Sequence, residues 1–292
     1  MAWISRTRAR AKINLTLDIA SRRLDGYHEL ASLVAFAGIG DDVELVAGRD
    51  LSLTITGPEA AHLRGADDEN HIVKAAKALQ SLKPDLRWGA FRLTKRLPVA
   101  SGLGGGSADA AAALRLLATL NRIALNDPAL LEAARRTGAD VPVCLASQTR
   151  VMRGIGDRLD PPLALPRLFA VLVNPRISSP TPAVFNALGL QPGETTADAP
   201  TFTVPAALPP DGLVTLLKSA KNDMQAAATR LIPAIGEVEM ALAALPACHL
   251  VRMSGSGATL FGLFASCRDA AHAAKVLSGR HPHWWIKPTV IG

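Results

Sequence analysis

The residues best suited to chemistry lie in the run Pro98-Val-Ala-Ser-Gly-Leu-Gly-Gly-Gly-Ser-Ala108. Gly102, Gly104, Gly105 and Gly106 let the main chain approach a ligand closely and take up positive φ. A strand pattern precedes them and a helix pattern follows. The loop N–H groups and the helix N-terminus at Ser107–Asp109 therefore form a positive concavity suited to phosphate. Ser107 stands either to cap that helix or to touch a magnesium ion. Two familiar phosphate patterns do not fit. No lysine follows the glycines, as the Walker loop requires, and Ser107 occupies the place of the third glycine in the dinucleotide pattern. A bare glycine run is also readable as a tightly packed turn; the strand–loop–helix setting favours phosphate.

The elements around this loop can be read from periodicity. Residues 11–20 alternate, with Ile13, Leu15, Leu17 and Ile19 on one face, which predicts a half-buried strand, and Asp25-Gly26 marks a turn. Val43–Val46 and Leu51–Thr56 read as a strand pair. Ile72–Leu82 has helical spacing with Asn70 as its N-cap. Phe91, Leu93 and Leu97 alternate up to Pro98. Ala108–Asn121 is a helix with almost no polar side, which predicts that it is buried in its domain. Asp127-Pro128 opens a further helix that Gly138 closes, and Val141–Ala146 reads as a short strand.

The glycine- and proline-rich stretch Gly154–Pro166 is the expected domain boundary, giving an N-terminal domain over 1–158 and a C-terminal domain over 159–292. Beyond it, Leu168–Val173 is a strand, Gln191–Asp211 a loop or hairpin, and Ala234–Leu245 a helix. Leu250–Met253 and Thr259–Phe264 form a strand pair, and Asp269–Leu277 is a helix. Strands and helices alternate irregularly, which predicts an α+β fold rather than a doubly wound sheet.

Composition sets outer bounds. In 292 residues, 49% are apolar and 20% charged, which excludes disorder and a fibrous architecture; only 4% are aromatic, so the cores are aliphatic. The net charge of +7 favours anionic partners: nucleotides, phosphorylated metabolites, nucleic acid or a membrane surface. Lys12, Asn14, Thr16 and Asp18 interrupt any secretion-type apolar region, and Leu30–Gly40 is too short to span a bilayer. Cys144, Cys248 and Cys267 form no C-x-x-C pair, which predicts a reduced, cytoplasmic chain.

At this point the sequence resembles the galactokinase/homoserine kinase/mevalonate kinase/phosphomevalonate kinase superfamily. Pro98–Ala108 is similar to its second motif and Met253-Ser-Gly-Ser-Gly-Ala-Thr-Leu260 to its third. Ala11-Lys-Ile-Asn-Leu15, Arg22-Arg-Leu-Asp-Gly-Tyr-His28 and Gly138-Ala-Asp-Val-Pro142 resemble, more narrowly, the 4-diphosphocytidyl-2-C-methyl-D-erythritol kinases within it. Together these blocks cover most of the chain. Val143-Cys144-Leu145 departs from the aromatic residues usual there, and Val99-Ala100-Ser101 replaces a longer glycine run.

The resemblance implies a two-domain small-molecule kinase. Its N-terminal domain would be like domain 2 of ribosomal protein S5, and its C-terminal domain ferredoxin-like. ATP would be bound with Mg2+ along Pro98, Val99, Ala100, Ser101, Gly102, Leu103, Gly104, Gly105, Gly106, Ser107 and Ala108, at the domain interface. It implies catalytic roles for Asp140, as acceptor or orienter of the substrate hydroxyl proton, and for Lys12, which would lower the hydroxyl pKa. Tyr27 would stack on a cytosine and His28 hydrogen-bond it, with Phe185 as the other stacking face and Asn14 near the methylerythritol. Asn70 and Lys95 would lie on the adenine side. Plainer readings stand beside these: Asp140 as a turn residue, Lys12 and Lys95 as solvated strand lysines, Asn70 as a cap, Phe185 as core, Asn14 as solvated. Asp157 and the Asn222-Asp223 pair carry no assigned role.

The expected partners are small molecules, ATP and a cytidine-diphosphate methylerythritol, with no nucleic acid or membrane, and the protein a monomer or homodimer. Another alcohol kinase of the superfamily and a basic RNA-binding protein with an S5-like fold are the competing readings. Against the second, no basic stripe studded with aromatics is visible.

Overall fold

The computed structural model of the chain describes residues 3–63, 70–196, 203–205 and 209–292. In chain order the elements are β1 (Ile4–Asn14), β2 (Asp18–Arg22), β3 (His28–Gly48), β4 (Ser52–Thr56), α1 (His71–Leu82), β5 (Trp88–Thr94), α2 (Gly105–Asn121), α3 (Pro128–Thr137) and α4 (Val141–Ala146). They continue with β6 (Arg150–Gly154), β7 (Arg158–Leu159), β8 (Leu168–Asn174), α5 (Thr181–Asn186), α6 (Pro210–Ser219), α7 (Met224–Leu231), α8 (Ala234–Ala243), β9 (Cys248–Met253), β10 (Leu260–Phe264), α9 (Cys267–Arg280) and β11 (Trp285–Ile291). They form two compact units whose segments interleave. One holds Met1–Ala11, Ile39–Val99 and Gly104–Ser147, the other Lys12–Gly38, Ala100–Leu103 and Gln148–Gly292.

In the first unit, β5 lies between β3 and β4, antiparallel to β3 and parallel to β4. The expected pairing of Val43–Val46 with Leu51–Thr56 is thus replaced. Helix α1 crosses over from β4 to β5, and such a crossover brings two strands together in parallel. Asn70 caps α1 as expected, its Oδ1 accepting from the Ile72 N–H at 2.9 Å, a bond worth about 1 kcal/mol. Helix α2 is buried along its length from Ala108 to Leu120, as its apolar surface predicts, and it packs against α1, α3 and α4. Asp127 caps α3 and Gly138 ends it. Val141–Ala146 is a helix, not a strand. Pro142 is preset for a first helical turn, and a short, mostly buried apolar run shows no period that separates the two structures.

In the second unit the strand order is β3-β11-β8-β10-β9, with β2 and β6 also on β3. β9 and β10 pair as expected. The strand expected over residues 11–20 is broken. Leu15–Leu17 leave the ladder because Thr16 Oγ1 accepts from the Leu33 N–H and the Leu17 N–H donates to the Lys221 carbonyl. The segment is also buried on both faces from Ala11 to Leu17 rather than half-buried. β11 had no signal in the sequence because Pro288 interrupts it; it pairs with β8 along its length but with β3 only at Ile291, leaving room for a residue without an N–H. Helices α5 and α7–α9 and one face of these strands enclose an aliphatic core around Val173, Val184, Leu242 and Leu260. The expected Gln191–Asp211 loop falls partly on 197–202 and 206–208, outside the described residues, and α6 begins at its end.

Candidate active site

In the first unit the glycine loop becomes a helix earlier than its sequence suggests. Gly104 is the N-cap of α2, with φ +60°, and Gly105 and Gly106 already lie in the first turn. Ser107 is therefore inside the helix and does not cap it. Helix geometry leaves the Gly105, Gly106 and Ser107 N–H groups without intrahelical acceptors, whereas the Ala108 N–H donates to the Gly104 carbonyl at 2.8 Å. These half-exposed donors head a helix about 25 Å long and carry the positive end of its dipole. An anion is the ligand they suit.

Behind this turn lies Lys95, 2% exposed, in contrast to a solvated strand lysine. Its Nζ donates to Asp41 Oδ2 at 2.6 Å and Asp109 Oδ2 at 2.7 Å. Burial alone would lower the Lys95 pKa, but Asp109 and Asp41 push it above its ordinary value. Asp140 is the N-cap residue of α4, half-buried, and its side chain makes no capping bond there. Asn70 opens α1, and the neighbouring His71 imidazole lies against Gly106.

The second unit contributes a separate cluster. Lys12 is 5% exposed at the end of β1, and its N–H donates to the Leu103 carbonyl at 2.9 Å. The Asn14 N–H donates to Ser254 Oγ at 3.1 Å, and Ser254 Oγ to the Gly102 carbonyl at 2.9 Å. Asn14 is buried rather than solvated: Nδ2 donates to Ser32 Oγ at 2.7 Å, while Oδ1 has no hydrogen-bond partner in this structure. The Asn222 side chain donates to the Met253 and Gly255 carbonyls at 2.8 and 2.9 Å and accepts from the Met224 N–H. Residues 100–103 and 253–257 are thereby stitched to β1.

Tyr27 is 60% exposed beyond the Gly26 turn. His28 beside it is buried and stacks on Phe185, with ring centroids 4.5 Å apart at 22°. Burial, followed by Arg22, holds the His28 pKa below its ordinary value, so the ring is neutral near pH 7 and its buried Nε2 has no partner. One face of Phe185 is thus occupied by His28. The exposed phenol beside a neutral imidazole offers stacking together with hydrogen bonding.

The sequence model of the GHMP kinases N terminal domain matches residues 70–148, and that of the GHMP kinases C terminal matches 212–282. A 4-diphosphocytidyl-2-C-methyl-D-erythritol kinase of Xanthobacter autotrophicus is 53% identical over 99% of this chain and 99% of its own. The chain belongs to the GHMP kinase family. A relative of the same name from Rhodopseudomonas palustris is 51% identical over 97% of this chain and 94% of its own. The crystal structure of a 4-(cytidine 5'-diphospho)-2C-methyl-D-erythritol kinase superposes with a TM-score of 0.75 at 32% identity, covering 99% of both chains. Homoserine kinase from Cytophaga hutchinsonii shares the fold, with a TM-score of 0.69 at 20% identity, covering 99% of this chain and 94% of its own.

The N-terminal match of this GHMP kinase contains Asn70, Lys95, the glycine loop and Asp140; the C-terminal match contains Asn222 and Met253–Leu260. The fold is α+β. Each unit brings part of the expected residues together: Tyr27, His28 and Phe185 in the second, and the glycine turn with Lys95 in the first. Asp41 and Asp109 were missed by sequence reasoning. Asp109 carried a signal, as the one acidic residue in an alanine-rich helix. Asn222 was noticed without a role, which its three hydrogen bonds supply. No described helix is long and apolar enough to cross a membrane.

Proposed function

We propose that this kinase transfers the γ-phosphoryl group of ATP to the 2-hydroxyl of 4-diphosphocytidyl-2-C-methyl-D-erythritol. The products are the 2-phosphate and ADP, in the non-mevalonate route to isoprenoid precursors. The observation that carries this reading is near-complete alignment at 53% identity with a kinase of that name. The open N–H groups at the head of α2 support phosphate binding along Pro98–Ala108, with Asn70 and Lys95 on the adenine side. The ammonium of Lys95 is engaged by carboxylates, so its part is to support the loop.

In the reaction, the substrate oxygen attacks the γ-phosphorus while its proton passes to Asp140. Lys12 lowers the hydroxyl pKa and offsets charge on the transferring group. Both act by positioning and electrostatics, the terms that dominate phosphoryl transfer. Mg2+ typically travels with the phosphates and keeps several waters. Ser107, half-exposed in the first turn of α2, suits it as a protein donor; the ion would neutralise charge on the β- and γ-oxygens. Tyr27 stacks on the cytosine, His28 bonds its edge, Phe185 backs the histidine, and Asn14 Oδ1 accepts from a methylerythritol hydroxyl. We place a domain division near residue 158, within the stretch between the matched ranges 70–148 and 212–282. We place the enzyme in the cytoplasm, as a monomer or homodimer acting on small molecules and not on nucleic acid.

The test is ADP release with Mg2+ and ATP, comparing the cytidylyl substrate with mevalonate and homoserine. Turnover confined to the cytidylyl substrate is expected. Turnover of another alcohol would retain the phosphate loop and discard the base-recognition roles of Tyr27 and His28.

A further inference from the structure

We propose that Asp41, Lys95 and Asp109 form a buried clamp across the neck of the glycine loop and act as positioning residues for nucleotide binding. The inference rests on the reading of Pro98–Ala108 as the ATP loop.

The three side chains come from three elements of one unit: Asp41 from β3, Lys95 from the end of β5 and Asp109 from the second turn of α2. They are 0%, 2% and 3% exposed. Asp41 Oδ1 accepts from the Arg96 and Leu97 N–H groups at 2.5 and 2.8 Å, which fixes the chain as it enters the loop. Lys95 Nζ bridges Asp41 Oδ2 to Asp109 Oδ2, which fixes the chain as it leaves. Residues 98–108 lie between these anchors. The ammonium also supports the turn directly: a methyl built on Gly105 would stand 3.1 Å from Lys95 Nζ.

Stability alone does not account for this triad. Two carboxylates share one ammonium at a buried site, and each buried ion costs several kcal/mol of desolvation. Asp109 Oδ1 has no hydrogen-bond partner among the described residues. The groups nearest the triad are His71 and Lys74 on α1 and the Arg96–Asp42 ion pair. The triad therefore carries a desolvation cost. What it provides is fixed geometry at both ends of the loop.

The test compares wild type with Asp109→Leu and Asp109→Asn in the full chain at pH 8. It measures calorimetric binding of Mg-ATP, KM for each substrate and the unfolding midpoint. Asp109→Leu removes one anchor and is expected to weaken ATP binding about tenfold or more, with KM for the cytidylyl substrate within about twofold of wild type. Asp109→Asn keeps an acceptor for Lys95; it should restore ATP affinity to within about threefold. Unchanged ATP affinity in Asp109→Leu would overturn the clamp. So would parallel losses in both substrates that track a lower midpoint. Wild type that binds ATP but phosphorylates no acceptor would sink the proposed reaction while leaving the clamp testable through affinity. Wild type that binds no ATP would remove both.

Discussion

The head of α2 (Gly104–Gly106) and the junction of residues 100–103 with 253–257 use glycine for opposite reasons. At the head of α2, a methyl on Gly106 would meet the His71 imidazole, and one on Gly105 the Lys95 ammonium; both neighbours are side-chain ends. In the second unit, a methyl on Gly102 would meet the carbonyl of Ser254 and stand 2.9 Å from that of Gly257. The hydrogen-bonding groups also differ. The first segment leaves three N–H groups open to a ligand. The second is satisfied internally, with the Ser254 N–H donating to Thr259, the Gly257 N–H to Ser254, and Asn222 holding two carbonyls. Glycine-rich text therefore denotes a ligand cradle in one place and a structural knot in the other. Only the direction of the N–H groups tells them apart.

The largest expected effect comes from reactive groups in the cradle's unit. Asp140→Asn should lower turnover about a thousandfold while the KM for ATP changes less than about threefold. A near-normal rate would remove Asp140 from the proton transfer. On the knot side, Gly102→Ala should cost at least about 2 kcal/mol, because φ there is +77° and the obstacles are backbone. Urea unfolding reads this directly; a wild-type midpoint would show that the knot yields. Tyr27→Ala is expected to raise KM for the cytidylyl substrate about tenfold, the loss of one stacking contact, with kcat little changed. An unaltered KM would dissociate the exposed phenol from the base. The smallest effect should be that of Gly106→Ala, below about 1 kcal/mol, and it should vanish in a His71→Ala background because the imidazole can swing aside. A large loss that His71→Ala leaves in place would make the cradle as rigid as the knot.

Much of this was legible in the chain itself. The α+β class, the caps at Asn70 and Asp127, the buried helix α2 and the β9–β10 pair follow from local rules: capping chemistry, the 3.6-residue period and strand alternation act within a few residues. The glycine turn ahead of α2 was legible because its glycines sit between a strand and a helix pattern, and the family motifs pointed to the roles proposed for Lys12, Tyr27, His28 and Asp140. Other features depended on residues far apart in sequence. Val141–Ala146 read as a strand because a short, mostly buried apolar run shows no period that separates the two structures. Thr16 broke the first strand through a bond to Leu33, and β5 entered between β3 and β4 through a crossover helix. Lys95 looked like a surface lysine until β3 and α2 each placed a carboxylate within 2.7 Å of it.

The sequence by itself determined which segments could bind phosphate and which residue types were available for proton transfer and base recognition, since those properties belong to side chains and short-range backbone geometry. Tertiary structure decided which glycine segment has free donors, which charges are buried and which polar groups are left unpaired. Those outcomes depend on desolvation and on distances between residues that the chain brings together only when it folds.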